Sequence, residues 1–464
     1  MIKVIGKYVL TFIITMCILI ALLFLSSLIP SSKMQNNVRK SSEILMQDGE
    51  KKFVDAYFRQ DCLFYFTDAL MINTAYSIDS TNPYSSMLLA RKNYIPGKTQ
   101  NFNEEMQKHI GTSPKYTDEQ YNTFQVAELY GLMHGDDIVD SYEYTRYWHG
   151  YLIFLRPLLA IMDLGAIRIL TIALTVILSI IIVWLIIKKL NLVTAIIYII
   201  GFILFDLFIV CNSMNEITTF IIALIAMVFI LLKNGKFKNP AVVFLCIGMC
   251  TSFFDLLTTP LVTIGLTLPI YVLLNLKESN KKLYIECIKI CIAWAVGYGL
   301  CWALKWVITD ITLNKHIISD AINQIMYRTS ADRTLLEVVI KNVNAIGKNV
   351  VIIFIAVLVL YSVIGLIKEF YKSKENNERT HKIELLKVTI FLIIAIFPFI
   401  WYFFIRNHSF VHSFFTNRNY IITVVNIQIA LTIYMGLQNN LINKEEKKLI
   451  EEPKKDKIIE NDIK

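Results

Sequence analysis

The stretch ILTIALTVILSIIIVWLII, Ile169–Ile187, contains no charged residue and is followed at once by Lys188 and Lys189. Wound as a helix at about 1.5 Å per residue, such a run crosses a bilayer's hydrocarbon core of about 30 Å. Val350–Ile367 is a second uncharged run of the same kind. The 464-residue chain around them is 55% hydrophobic and 18% charged, with a mean hydropathy of +0.52. That balance lies outside the soluble range and excludes an ordinary cytosolic enzyme, a disordered chain and a secreted disulfide scaffold.

Working outward, the hydrophobic runs predict an all-α polytopic membrane protein with about ten transmembrane helices. They lie near 8–29, 167–187, 192–211, 217–232, 240–254, 260–276, 286–306, 349–367, 388–405 and 420–438. Lys3 and Lys7 precede the first run, and no small-residue cleavage site is evident before Pro30. It therefore reads as an uncleaved first helix rather than a signal peptide. An inside N-terminus puts Lys188/Lys189, Lys233/Lys236/Lys238, Lys277/Lys281/Lys282, segment 368–387 and the tail after Lys444 in the cytoplasm. Every second connection is then basic, as membrane topology requires. Four parts follow: the first helix (1–30), an extracytoplasmic loop with interfacial helices (31–166), a bundle of about nine helices (167–438) and a charged tail (439–464). An integral cell-membrane protein with both termini cytoplasmic is expected.

The net charge of +9 follows this topology. No basic stripe interleaved with aromatics marks a nucleic-acid surface, so the expected partner is the lipid bilayer and not nucleic acid. Of the eight cysteines only Cys62 lies outside the apolar runs, and Cys287 and Cys291 share a helix face without nearby histidines. These thiols read as small membrane-helix residues.

The outward connections carry the polar residues that an apolar chain holds at a cost. Asp68 sits in the apolar segment LFYFTDALMIN (Leu63–Asn73), which is suited to the membrane interface. It is either a helix N-terminal or surface-facing Asp on an amphipathic segment, or a catalytic or metal-binding acid. Asp136, Asp137 and Asp140 form either an exposed acidic turn or a set of hard oxygen ligands. In Arg146-Tyr147-Trp148-His149-Gly150-Tyr151 an aromatic belt accounts for Trp and Tyr but not for His149. Leu152–Leu164, with Arg156 and Asp163, reads as an amphipathic interfacial helix running into the second span. Asp206 is an intramembrane acid and Asp255 lies at a helix tip, functional or capping.

Outward bases surround the last two outer loops. Lys305, Lys315, His316, Arg328, Arg333 and Lys341 belong to one, and Arg406, His408, His412 and Arg418 to the other. His408 and His412 share a helix face, but no H-E-x-x-H or third ligand supports zinc. Guanidinium pairs with phosphate bidentately, so a phosphate ligand competes here with ordinary snorkelling.

In this order the pieces resemble the GT-C class of polytopic glycosyltransferases. The likeness rests on a long outer loop after an uncleaved first helix and on Thr67-Asp68-Ala69-Leu70-Met71-Ile72-Asn73-Thr74-Ala75-Tyr76. It also rests on His149-Gly150-Tyr151-Leu152 through Leu164-Gly165-Ala166-Ile167-Arg168-Ile169-Leu170. It covers roughly residues 1–215. The resemblance implies transfer of a sugar from a polyprenyl-phosphate donor to a glycan, lipid or protein acceptor of the cell envelope. Asp68 would be the general base or hold a divalent cation (Mg or Mn), with His149 and Asp137 as further catalytic candidates. Arg406, His408, His412, Arg418 and Arg328 would meet the lipid phosphate. The alternative is a non-enzymatic transporter or flippase of a lipid-linked or anionic solute, which ten helices, Asp206 and the outward bases also fit.

Overall fold

The computed structural model describes residues 2–50, 54–55, 60–61, 65–94, 118–135, 140–330, 332–347, 350–358, 360, 363 and 378–435. Among the described residues five helices are long and apolar enough to cross a membrane: Ile5–Ser27, Leu164–Lys189, Met214–Leu232, Asn280–Leu313 and Leu386–Phe404. A sixth is counted if Leu335–Ile346 and Val350–Leu358, bent by 97°, are taken as one span. Their outward faces are as apolar as their inward ones, with Ile5, Val9, Ile13 and Leu25 exposed on the first and Ile169, Ile177 and Ile180 on the second. A helix that is apolar all round needs a non-aqueous surrounding.

The chain begins with α1 (Ile2–Ser27), then α2 (Gln35–Glu50), a hairpin of β1 (Val54–Asp55) and β2 (Gln60–Asp61), α3 (Tyr65–Tyr76) and α4 (Pro83–Leu89). Next, β3 (Arg91–Tyr94) pairs antiparallel with β4 (Asp140–Glu143), and α5 (Asp118–His134) lies between them in sequence. After α6 (Leu152–Leu159) the bundle follows: α7 (Leu164–Lys189), α8 (Leu192–Leu204), α9 (Leu207–Val210), α10 (Met214–Leu232), α11 (Pro240–Phe254), α12 (Leu261–Gly265) and α13 (Thr267–Leu274). The long α14 (Asn280–Leu313) leads to α15 (Ile317–Thr329), α16 (Leu335–Ile346) and α17 (Val350–Leu358). The last helices are α18 (Glu378–Ala395), α19 (Phe397–Phe404), α20 (Arg406–Val411), α21 (Ser413–Thr416) and α22 (Tyr420–Tyr434).

Several predicted spans are therefore shorter or interrupted. Run 192–211 breaks at Phe205-Asp206, where Asp206 takes φ +50°, and run 260–276 breaks at Leu266. In an apolar bundle each freed carbonyl needs a donor. At the second break Tyr198 Oη donates to Leu266 O at 2.9 Å and Asn426 Nδ2 to Gly265 O at 3.2 Å.

Two findings concern the outer segment. The helix α3, expected at the membrane interface, packs Ala69, Met71, Ile72 and Ala75 into the protein interior. The expected interfacial helix 152–164 ends at Leu159, and Asp163 instead caps α7 by accepting from Ala166 N at 3.1 Å. Arg156 points inward and is fully buried.

Hydrogen bonds sort the connections into two ends. At one, Tyr8 Oη donates to Asn239 Oδ1 at 3.0 Å, Asn275 Nδ2 to Gly235 O at 3.5 Å, and Lys387 to Leu276 O. At the other, loop-rich end, Gly150 N donates to Phe253 O at 3.0 Å and His408 Nε2 to Leu257 O at 3.0 Å. There, too, Asn342 Nδ2 donates to Ser409 O at 2.9 Å. Residues far apart in sequence thus form one pinned layer there.

The tightest helix pair is α11 with α14. A Cβ on Gly248 would lie 2.2 Å from Trp294 O, and one on Gly297 2.3 Å from Leu245 O. Both obstacles are backbone, so the helices must part to admit a methyl group. Gly248→Ala is expected to destabilise the detergent-solubilised protein by about 1–3 kcal/mol, the usual cost of overpacking. Gly299→Ala, on the same α14 with nothing within 4 Å, provides the control. Equal thermal midpoints for the two variants would show that this contact is not tight in solution.

Candidate functional site

The site is built around the first turn of α10. Ser213 caps it, and Asp68 Oδ1 accepts from Met214 N at 3.0 Å. A carboxylate at a helix N-terminus meets unsatisfied amides and the positive end of the helix dipole. Asp68 Oδ2 also lies 3.6 Å from Arg168 Nη2, whose Nη1 is 2.6 Å from Asp48 Oδ2. Arg168 Nε donates to Asn212 O at 3.0 Å, so α2, α3, α7 and the α9–α10 turn meet on one guanidinium. Asp68 is 1% exposed. Burial pushes its carboxyl up from 3.8 to about 6, against the opposing pull of Arg168 and the Met214 amide.

Two residues further along α10, Glu216 Oε2 lies 2.6 Å from Arg418 Nη2, and both side chains are buried. Arg418 Nη1 also donates to Phe414 O at 3.1 Å. Asp68 and Arg418 therefore meet at the same helix turn. Arg418, expected to meet a lipid phosphate, is placed by this ion pair against Glu216 at the buried end of α10.

His149 belongs to a separate cluster. It holds φ +54°, a left-handed conformation uncommon for a histidine, and is 1% exposed. Its Nε2 lies 2.6 Å from Tyr144 O and so carries the proton, while Nδ1 accepts from Tyr151 Oη at 3.1 Å. Burial, aided by Lys305 and Arg146, lowers it to about 3. A neutral ring with both nitrogens engaged positions the loop. In this arrangement the ring is held neutral, with its two nitrogens on Tyr144 O and Tyr151 Oη.

The last loop also departs from expectation. His408 and His412 are adjacent, ring centroids 4.7 Å apart, and His408 Nε2 donates to the Leu257 carbonyl. Burial, His412 and Arg328 hold the His408 imidazole well below its usual range, and burial, Arg328 and Lys341 lower His412 to about 3. Neutral rings do not attract phosphate as imidazolium would. Arg406 lies over the Phe403 ring at 4.8 Å and donates to Phe403 O at 3.2 Å, as a snorkelling side chain does.

Asp255 closes its own loop, accepting from Thr258 N at 3.0 Å on both oxygens and from Thr258 Oγ1 at 2.5 Å. Burial raises it to about 6. These bonds close the Asp255–Thr258 turn, whereas the helix that begins at Leu261 has Pro260 at its N-cap and no side-chain cap. Asp206 is buried at the α8–α9 break. Asp137 lies outside the described residues.

Arg328 Nη1 donates to Tyr147 Oη at 2.7 Å, and Arg146 Nη1 lies 3.0 Å from Asp320 Oδ2. Both arginines line a small cleft of about 270 Å³, its open mouth included, with Tyr147, Trp302, Trp306 and Gln324. Sequence reasoning missed Arg146, Trp302 and Trp306 as site residues. Their signal was the four-residue spacing of Trp294, Tyr298, Trp302 and Trp306, whose rings follow one another at 5.2, 5.6 and 5.8 Å along α14.

Among the described residues no three His, Cys, Asp or Glu side chains gather as a metal site. The two acids nearest each other here, Asp48 and Asp68, are bridged by a guanidinium, so this donor set does not fit a divalent cation. No protein-family model, characterised protein or solved structure matches this chain.

Proposed function

We propose that this chain is a multi-pass glycosyltransferase of the cell membrane, moving a sugar from a polyprenyl-phosphate donor to a cell-envelope acceptor at the loop-rich face. The ten hydrophobic runs would be its spans, with both termini cytoplasmic. The observation that carries the reading is Asp68, a buried carboxyl at about 6, held at a helix N-terminus beside Arg168. A base near the working pH balances availability against strength. In this mechanism Asp68 takes the acceptor hydroxyl proton as that oxygen attacks the anomeric carbon. The bond from that carbon to the phosphate oxygen breaks, and the lipid phosphate departs as an anion stabilised by nearby guanidinium groups. Attack opposite the leaving group inverts the anomeric centre.

The competing reading is a transporter or flippase of a lipid-linked or anionic solute. Its support is the pair of helix breaks, at Asp206 and at Leu266, since broken helices are a common device of transporters. Purified protein supplied with radiolabelled polyprenyl-phosphate sugar and an envelope acceptor extract separates the two. Label appearing in the acceptor supports transfer. Label crossing reconstituted vesicles with the donor intact overturns it.

A further inference from the structure

We propose that α15 and α16 form a collar lying flat in the membrane leaflet at the loop-rich end, with their exposed apolar stripes seated at the boundary between lipid headgroups and acyl chains. The partner is the lipid surface itself. The first observation is the level of the two helices. Three residues separate α15 from the end of α14, at a corner where Asn314 takes φ +50°. Asp310 on α14 fixes that corner by accepting from Ile317 N at 2.5 Å and Ile318 N at 3.2 Å. The far end of α15 is tied to the outlet of another span, Leu386–Phe404, because Asn407 Nδ2 donates to Tyr327 O at 3.1 Å. A 13-residue helix, about 20 Å long, that joins the same ends of two spans runs across the bundle rather than along it. On α16, Asn342 Nδ2 donates to Ser409 O at 2.9 Å and Val339 O accepts from Tyr420 Oη at 3.4 Å, which sets it at the same level. It also turns 97° away from α17.

The second observation is what the helices leave bare. On α15, Ile317 and Ala321 are buried against the protein, while Ile318, Ile322, Ile325 and Met326 form an exposed stripe at helical spacing. Asn323, also exposed, lies about 100° round the helix from Ile322. On α16, Val338, Asn342 and Ile346 are buried, while Leu336 and Ile340 are exposed one turn apart. An in-plane amphipathic helix sinks such a stripe about 5–10 Å into the headgroup–acyl boundary. Continuity favours lipid over a second copy of the chain. The exposed side of the spanning helix α14 carries Val296, Leu300, Val307 and Ile311 up to the corner, and Ile318 resumes the row beyond it. Beside α16, Arg333 and Lys341 lie over the Phe410 ring at 4.6 and 3.9 Å, cations and aromatic together as at a membrane–water boundary. The connection that holds Ser409 also holds Arg418, which reaches Glu216 at 2.6 Å. The collar therefore sets the first turn of α10, and Asp68 on it, at headgroup depth.

The inference rests on the long apolar helices crossing a bilayer and not on sugar transfer, so a protein that transfers no sugar leaves it standing. Full-length protein carrying the photo-crosslinker p-benzoylphenylalanine at one position is reconstituted in vesicles of phosphatidylethanolamine and phosphatidylglycerol. After irradiation its adducts are identified by mass spectrometry. Ile177, on the exposed side of α7, reports contact with the bilayer. Replacement of Ile322, Met326 or Ile340 is expected to give lipid adducts within about threefold of the Ile177 yield, and replacement of Asn323 about tenfold fewer. Three stripe positions on two helices guard against one label that disturbs folding. Lipid yields at Ile322 and Ile340 as low as at Asn323 would overturn the collar. Adducts to a second copy of the chain in place of lipid would make these stripes a protein interface and overturn it equally. Absence of lipid at Ile177 would remove the bilayer, and the collar with it.

Discussion

Asp68→Asn is expected to lower sugar transfer by about 10²- to 10⁴-fold, the usual contribution of a positioned general base, while the protein stays folded. Asn keeps an oxygen to accept from Met214 N, as Asp68 Oδ1 does at 3.0 Å. Arg168 keeps Asp48 at 2.6 Å and the Asn212 carbonyl. The substitution therefore removes a proton acceptor with little change in packing. A folded variant transferring at the wild-type rate would reduce Asp68 to a helix cap.

The pH dependence separates these outcomes further. Asp68 must be ionised to act as a base, so transfer should rise with pH through about 6 and then level off. That limb should vanish in Asp68→Asn. Stability runs the other way. A carboxyl raised from 3.8 to about 6 on folding binds its proton more tightly in the folded state. Its contribution is fully present below about 3.8 and is lost as pH rises through about 6. Activity rising where stability falls would mark one group behind both.

The hydrophobic runs were legible because a bilayer imposes a length and a charge rule on any chain that crosses it. Among the described residues each predicted run is mostly helical, two of them with breaks at Phe205-Asp206 and Leu266, and five helices reach full span length. Hydropathy registers apolar length and is blind to a backbone break such as Leu266, whose repair by Tyr198 and Asn426 comes from distant helices. The same blindness applies to α3. A membrane interface and a protein interior favour the same apolar residues, so Ala69, Ile72 and Ala75 fit both.

Charged residues were found, but not their partners. Arg418 meets Glu216 from more than two hundred positions away, and Asp68 meets Met214 and Arg168 across the length of the outer segment. Local sequence holds no trace of such pairings. His149 was singled out correctly as something an aromatic belt leaves unexplained. Its explanation is a left-handed turn locked by Tyr144 and Tyr151, and the neighbouring Gly150 backs directly onto Phe253.

Arg156 gives the largest expected effect on folding. Its Nε donates to Ser26 O at 3.0 Å, and its two terminal nitrogens donate to Ala75 O and Ile29 O. Those carbonyls lie at or just past the C-terminal ends of α1 and α3, where intrahelical donors run out and the helix dipoles are negative. One buried guanidinium thus satisfies three acceptors and fixes the outer segment to the first helix. Burial lowers Arg156 to about 10, which still leaves it charged at neutral pH. Arg156→Met conserves much of the volume but leaves the carbonyls unmet, and unlike a side-chain partner they cannot be deleted. Each orphaned group costs about 1–3 kcal/mol before relaxation, so a net loss of about 3–5 kcal/mol is expected. Arg156→Lys keeps the charge without the planar fork and should fall between wild type and Met. Thermal unfolding in detergent reads the series, and limited proteolysis of the outer segment shows whether it detaches first. Equal midpoints for Arg, Lys and Met would mean that these carbonyls find other donors. The ordered series would instead identify the guanidinium as the clamp that holds the outer segment, Asp68 included, over the bundle.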